Sequence, residues 1–357
     1  MEKLWTPGRI GPMETKNRAI RSATNEHLAT REGGELTQDW MDACVALAKG
    51  GVGTIITGHF SVDKTQRADE GQALLCADMD SGMFERSCDI LRRTVEAVHA
   101  HGAKLVIQIS HSGPKAPADF NGRPPKFPAD FTLDEYEKLV KAFAFTAKTC
   151  RDCGVDGVQV HMAHGYFLSS VLSPELNTRT DQYGGSLENR FRLCGEIIRA
   201  VKDVCEDKMA LLVKVDSNCC GDLPALLKMC EAENVDCAEI SGLDFGTHKR
   251  GEGPFYLAAV TEAIKGLKMP VALVGGIVSL EDARKVMDAG IEFASFARAL
   301  LCEPDLIGKL QSGEQTKAAC IGCSGCFQVY RNKPRRCVLH TTDIPQLEKT
   351  FGPYSEK

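Results

Sequence analysis

The 357-residue chain has no apolar run approaching the ~18 residues that a membrane-spanning helix needs. A membrane partner is therefore not expected. The opening residues, MEKLWTPGRIGPME, contain no apolar stretch of about 7–15 residues of the kind that marks a secretory leader, so a cytoplasmic, reducing setting is expected. Positive charge is not in excess. With 43 Lys+Arg against 48 Asp+Glu the formal net charge is −5, which argues against a protein held to nucleic acid by phosphate contacts. Low-complexity linkers are lacking, and 43% hydrophobic with 25% charged residues is ordinary for a globular chain. No G-x-G-x-x-G turn follows the first strand-like run, which counts against a doubly wound dinucleotide fold.

Cysteine, in contrast, is abundant: 16 residues, unevenly placed. Twelve are scattered between Cys44 and Cys302, mostly inside apolar or helical patterns, and read as small buried hydrophobes. The remaining four, Cys320, Cys323, Cys326 and Cys337, crowd near the end. In a reducing compartment a disulfide framework is not expected, and C-x2-C spacing reads first as metal or redox chemistry.

Short β-branched runs recur at residues 19–24, 52–57, 104–110, 157–161, 211–216, 237–241, 271–275 and 293–297, with helical patterns between them. Apolar residues at helical spacing mark 38–49, and Thr132-x-x-Glu135 is a capping box opening a helix that stops at Gly154. Ser186 caps another helix, and 281–289 and 299–310 complete the series. Strands alternating with helices imply parallel pairing with right-handed crossovers, so the expected fold is α/β, a (β/α)8 TIM barrel, with a doubly wound sheet as the competing arrangement. The expected division is a barrel over 1–312 and a short Cys-rich C-terminal extension, 313–357, packed on it. Three segments, 58–82, 110–131 and 162–185, are too long for plain connections. All follow strands on the C-terminal side, where barrel enzymes build their sites, and are expected to wall a pocket.

The densest chemistry lies in His161-Met-Ala-His164-Gly-Tyr166 at the end of the fourth strand. Two imidazoles and a phenol at this spacing can converge on one small polar group: neutral His donors hold a carbonyl oxygen and a phenol delivers a proton. The same residues read alternatively as a structural histidine pair or a zinc site short of its third ligand. Asn25, Gln108, His111, Lys214, Asp216 and Arg298 sit at other strand ends, and a buried Gln or Lys in a barrel mouth needs a partner. Gly275-Gly276 and Ala297-Arg298 suit the phosphate site that barrels build after strands 7 and 8, or simply a tight turn and an exposed arginine.

The stretch HMAHGYFLSSVLSPELNTRTDQYGGSLENRFRL (161–193) resembles the signature of the old yellow enzyme family of FMN-dependent oxidoreductases. Asn17-Arg18, GGVGTIITG at 50–58, IQISHSG at 107–113 and LVGGI at 273–277 agree with it in order and spacing. The resemblance implies FMN lying against Ala23, Thr24 and Gly58, with Gln108 on its pyrimidine edge and its phosphate held by Gly275, Gly276, Ala297 and Arg298. Lys214 stands where the family usually has arginine beside the flavin, and Asn25 where it has threonine or cysteine. His161 and His164 match the pair that grips a substrate carbonyl, and Tyr166 the proton donor. The implied reaction passes hydride from NAD(P)H through FMN to the C=C of an α,β-unsaturated carbonyl or thioester, an ene-reductase chemistry. A homo-oligomer is compatible with the resemblance.

The four late cysteines, C-x2-C-x2-C-x10-C, suit a cubane [4Fe-4S] cluster or a tetrahedral zinc, with a metal-free remnant as the remaining alternative. They look like the cluster motif of the dienoyl-CoA reductase and trimethylamine dehydrogenase branch of the same family, which usually has one more residue in each of the last two gaps. That branch carries a further C-terminal flavin domain. Here the chain ends at Lys357, so the expectation is that the cluster's partner is missing or is a separate electron-donor protein, with Arg331, Lys333, Arg335 and Arg336 as a docking run or a solvated face. An iron–sulfur amine dehydrogenase or demethylase is the competing function within the fold. A non-enzymatic metal or redox-sensing module is the competitor from another class.

Overall fold

The computed structural model describes residues 3–248, 251–328 and 334–337. Eight parallel strands form a closed barrel: β1 (Ala19–Arg21), β2 (Thr54–Ile56), β3 (Lys104–Ser110), β4 (Gly157–Met162), β5 (Ala210–Asp216), β6 (Cys237–Ser241), β7 (Val271–Val274) and β8 (Phe293–Phe296). Each pairs in parallel with its chain neighbour, and β8 pairs with β1 through Ala294↔Ala19 and Phe296↔Arg21, closing the ring. The strands are buried on both faces, so they read as near-continuous apolar runs rather than as alternation. All eight expected strands form, and the arrangement is the (β/α)8 barrel.

The differences sit at strand ends. β1 stops at Arg21 because Ser22–Asn25 turns inward to wall a cavity, pinned where the Ser22 N–H donates to the Phe296 carbonyl at 3.0 Å. β7 stops at Val274 because Gly275 takes φ +125°, outside the range an L side chain adopts.

Helix starts follow their capping chemistry. Thr37 accepts from the Trp40 N–H at the head of Gln38–Lys49, and Thr132 with Glu135 forms the expected reciprocal box at the head of Leu133–Asp152. Ser186 caps Leu187–Cys205. The single helix expected over 299–310 is broken into Arg298–Cys302 and Leu306–Ser312. Pro304 is the cause: it offers no N–H and pushes Glu303 into extended backbone, φ −137° and ψ 93°.

Two additions were not foreseen. An antiparallel hairpin, Gly8–Ile10 with Met13–Thr15, precedes the barrel. Its Ile10 and Met13 pack with the inward Ile20, Ile56, Val106, Leu212, Ala272 and Phe293, closing the N-terminal end of the barrel with apolar side chains. A two-residue strand, Phe60–Ser61, also adds in parallel to β3. After the last barrel helix the chain packs back on the fold, the Ala318 N–H donating to Val278 O at 2.8 Å. Residues 334–337 return toward β1, the Arg335 N–H donating to Glu26 O at 2.7 Å, whereas Arg331 and Lys333 lie outside the described residues. Among the described residues no helix is long and apolar enough to cross a membrane.

Candidate active site

The C-terminal strand ends surround an open cavity. Its walls are Ala23, Thr24 and Asn25 after β1, Gln108 on β3, His161, His164 and Tyr166 at the end of β4, and Lys214 on β5. Gly275, Gly276, Ala297 and Arg298 complete it after β7 and β8. One expected residue is displaced: Gly58 backs the wall instead of lining it. A Cβ there would meet the Asn25 Cα at 2.8 Å and the Thr24 carbonyl at 2.9 Å, so glycine is needed for the β1 and β2 loops to touch.

The floor is a buried polar chain. The Gln108 Nε2 donates to Gln159 Oε1 at 2.7 Å, and Gln159 Nε2 donates to Glu239 Oε2 at 3.2 Å. Lys214 Nζ lies 2.9 Å from the same carboxylate oxygen and 2.8 Å from Ser22 Oγ. The partners demanded by a buried Gln and Lys are thus Gln159 and Glu239. Lys214 therefore presents a cation already shared with a carboxylate, rather than a free positive charge. The ammonium holds the Glu239 carboxyl below its ordinary range against the opposing effect of burial. Glu239 was missed at the sequence level, although a carboxylate in mid-strand was a readable signal.

Above the floor the aromatic groups converge. The His161 ring centre lies 5.4 Å from that of His164 and 5.0 Å from that of Tyr166. Burial, and then neighbouring positive charge, holds both imidazoles well below their ordinary range, so both are neutral. The buried His161 Nδ1 has no hydrogen-bond partner among the described residues. His164 takes left-handed backbone, φ 63°, and is held from two sides. Its N–H donates to Asp216 Oδ2 at 2.6 Å, and its Nε2 lies 2.8 Å from Ser241 Oγ. Burial raises the Asp216 carboxyl to about 6 and pushes the Tyr166 phenol up, so the phenol keeps its proton at neutral pH.

His59, one residue past Gly58, is a further cavity residue that the sequence reading passed over. Its ring centre is 4.6 Å from that of Tyr166, and its Nδ1 is held by Ser110 Oγ at 2.6 Å. Asn25 turns its amide onto Asp69 Oδ2 at 2.7 Å. Of the three long segments, 58–82 supplies His59 and 162–185 supplies His164 and Tyr166, while Lys115 of 110–131 lines an adjoining groove.

Residues 3–317 match the NADH:flavin oxidoreductase / NADH oxidase family. The chain belongs to this family. It is accordingly an NAD(P)H-dependent flavin oxidoreductase, as the signature at 161–193 implied. Among curated relatives, the 4,4'-dithiodibutanoate disulfide reductase of Rhodococcus erythropolis is 28% identical across 98% of both chains. The NADH oxidase of Thermoanaerobacter brockii is 30% identical over 94% of this chain, which spans 56% of that relative's length. The old yellow enzyme homologue from Zymomonas mobilis superposes with a TM-score of 0.76 at 22% identity, covering 89% of this chain and 95% of that one.

The flavin of this family fits the cavity on the chain's own evidence. Gly275 and Gly276 line the cavity with positive φ, and a Cβ on Gly276 would meet the Gly253 carbonyl at 1.9 Å, so this turn is open only to glycine, the residue type a phosphate cradle uses. Arg298 stands beside them, its Nη1 donating to Ser324 Oγ at 2.8 Å. That contact ties the β8 end of the cavity to the cysteine-rich loop. Cys320, Cys323, Cys326 and Cys337 neighbour one another there, with the barrel's Cys302 hydrogen-bonded to Cys337. Among the described residues, however, no three His, Cys, Asp or Glu side chains are gathered closely enough to hold a metal ion.

Proposed function

We propose that this flavin oxidoreductase reduces the C=C bond of an α,β-unsaturated carbonyl or thioester. One observation carries the reading: two neutral imidazoles and a protonated phenol converge on the cavity that also holds the flavin-type residues. In this reading FMN rests on Ala23, Thr24 and Asn25, backed by Gly58, with Gln108 and Lys214 at its ring and Gly275, Gly276, Ala297 and Arg298 at its phosphate. When bound, FMN would supply the two-electron relay between NAD(P)H and the C=C bond of the substrate.

The chain's own groups do the rest. His161 and His164 donate N–H bonds to the carbonyl oxygen, where negative charge grows as hydride arrives, so they bind the transition state more tightly than the substrate. Neutral rings suit this task because a donor is required and no proton is transferred. Asp216 and Ser241 hold His164 in place. Tyr166 gives its phenolic proton to the α carbon, and hydride plus proton balance the saturated product. His161→Ala combined with His164→Ala is expected to abolish NADPH-driven turnover of cyclohex-2-enone while FMN stays bound. Tyr166→Phe is expected to lower it about a hundredfold or more. Unchanged turnover in the double variant overturns the assignment.

The cysteine quartet is proposed as a site for an iron–sulfur cluster, supported by its C-x2-C-x2-C-x10-C spacing. The reaction above is derived without it. Iron and acid-labile sulfide in anaerobically purified protein support the cluster, and one zinc per chain or no metal removes it.

A further inference from the structure

His59 carries a hydrogen-bond network that the proposed reaction does not use. Its imidazole, Gln72 and Ser110 are buried together at the cavity wall. The Gln72 amide has a fixed orientation: its Oε1 accepts from the Ala68 N–H at 2.6 Å, so its Nε2 faces His59. That nitrogen donates to the His59 carbonyl at 3.1 Å and lies 2.9 Å from His59 Nδ1. An amide nitrogen is a donor only, so a proton on Nδ1 would set two donors against each other. Nδ1 is therefore the acceptor, also reached by the Ser110 hydroxyl at 2.6 Å, and the ring proton sits on Nε2. Burial, and then the positive charge of Arg335 and Lys115, lowers this imidazole to about 3, so it is neutral at pH 7.

Among the described residues no group accepts from His59 Nε2, although the ring lines the cavity, its centre 4.6 Å from that of Tyr166 and 5.7 Å from that of His161. A donor locked in one tautomer and left without an acceptor is matched only by what enters the cavity. The reacting carbonyl does not serve. Its oxygen has two lone pairs, and in the proposed reaction His161 and His164 occupy both.

We propose that His59 is a specificity-determining donor, giving its Nε2–H to a second acceptor oxygen on the substrate. The site then prefers unsaturated carbonyl compounds that bear a further carbonyl, ester or nitro oxygen. His161 and His164 have their role only within the proposed reduction, on which this assignment rests, whereas the contribution of His59 is read from binding alone. The fixed tautomer also gives the selection a sign. An amine or ammonium at that place would set donor against donor and is refused.

The test titrates the FMN-loaded protein by calorimetry with cyclohexanone, cyclohexane-1,4-dione and 4-aminocyclohexanone, none of which has a C=C bond to reduce. The dione is expected to bind about tenfold more tightly than cyclohexanone, beyond the statistical gain of a second equivalent carbonyl, and the amine no more tightly than cyclohexanone. His59→Phe should erase the dione's advantage, and His59→Gln, which still donates, should keep part of it. Nitrogen-15 NMR of the histidine side chains in the FMN-loaded wild type, which needs no variant to fold, should place the His59 proton on Nε2. Equal affinity for ketone and dione, as when bound FMN takes the donor instead, overturns the proposal. So does an advantage that survives in His59→Phe, tighter binding of the amine, or a proton found on Nδ1. Absence of cyclohex-2-enone turnover with the dione preference intact counts against the reduction alone, so the two failures are told apart.

Discussion

At the scale of single residues, Asp216 links the site to pH. Its carboxyl is raised from an unfolded value of ~3.9 to about 6, chiefly by burial. The folded state therefore binds this proton more tightly than the unfolded one. Its contribution to stability is full below pH ~4 and is lost as pH rises toward 6. For catalysis the ionised form is the useful one, since it accepts from the His164 N–H and from Ser169 Oγ. Turnover of a neutral enone should fall below pH about 6, and Asp216→Asn should flatten that limb while leaving no compensating one at higher pH. The histidines themselves are held too low to titrate there. A pH–rate profile of wild type and variant checks this, and an identical acid limb in both removes Asp216 from the account. Lys214 carries a second residue-scale lesson. A cation was legible at its position, but its pairing with Glu239 was not, because the partner stands on the next strand and only the barrel's register brings them together, Lys214 lying opposite Glu239.

At the scale of elements, the strands and caps were legible and the breaks were less so. Thr132-x-x-Glu135 and Ser186 announce helices because their chemistry is local, and all eight barrel strands form where the β-branched runs placed them. Pro304 is a break that stands in the sequence itself, inside the 299–310 segment expected as one helix. The N-terminal hairpin went unseen because Ile10 and Met13 make sense only once eight strand interiors are assembled beneath them. Thr132→Ala should cost about 1 kcal/mol in urea unfolding, since it leaves N-terminal amides of Leu133–Asp152 without their acceptor. Gly276→Ala should be far more damaging at the site, because its Cβ would fall 1.9 Å from the Gly253 carbonyl. The expected outcome is loss of FMN from the purified protein, read from the flavin absorbance. Full flavin content in that variant would show that the glycine pair is not the cradle.

At the scale of the whole molecule, the sixteen cysteines resolve by environment. Thirteen are buried, and only Cys219, Cys320 and Cys323 are partly exposed. Brief iodoacetamide treatment of the metal-free native protein should alkylate those three and spare the others until denaturant is added. Mass spectrometry that found Cys150 or Cys230 labelled in native protein would contradict the packing. The hairpin that closes the barrel has a broader kinetic meaning. With one end stoppered by Ile10 and Met13, a hydride donor and a hydride acceptor must enter by the same mouth and share the cavity behind it. They exclude each other, so double-reciprocal plots should be parallel rather than intersecting, and excess acceptor should inhibit by occupying the oxidised enzyme before the nicotinamide can reach it.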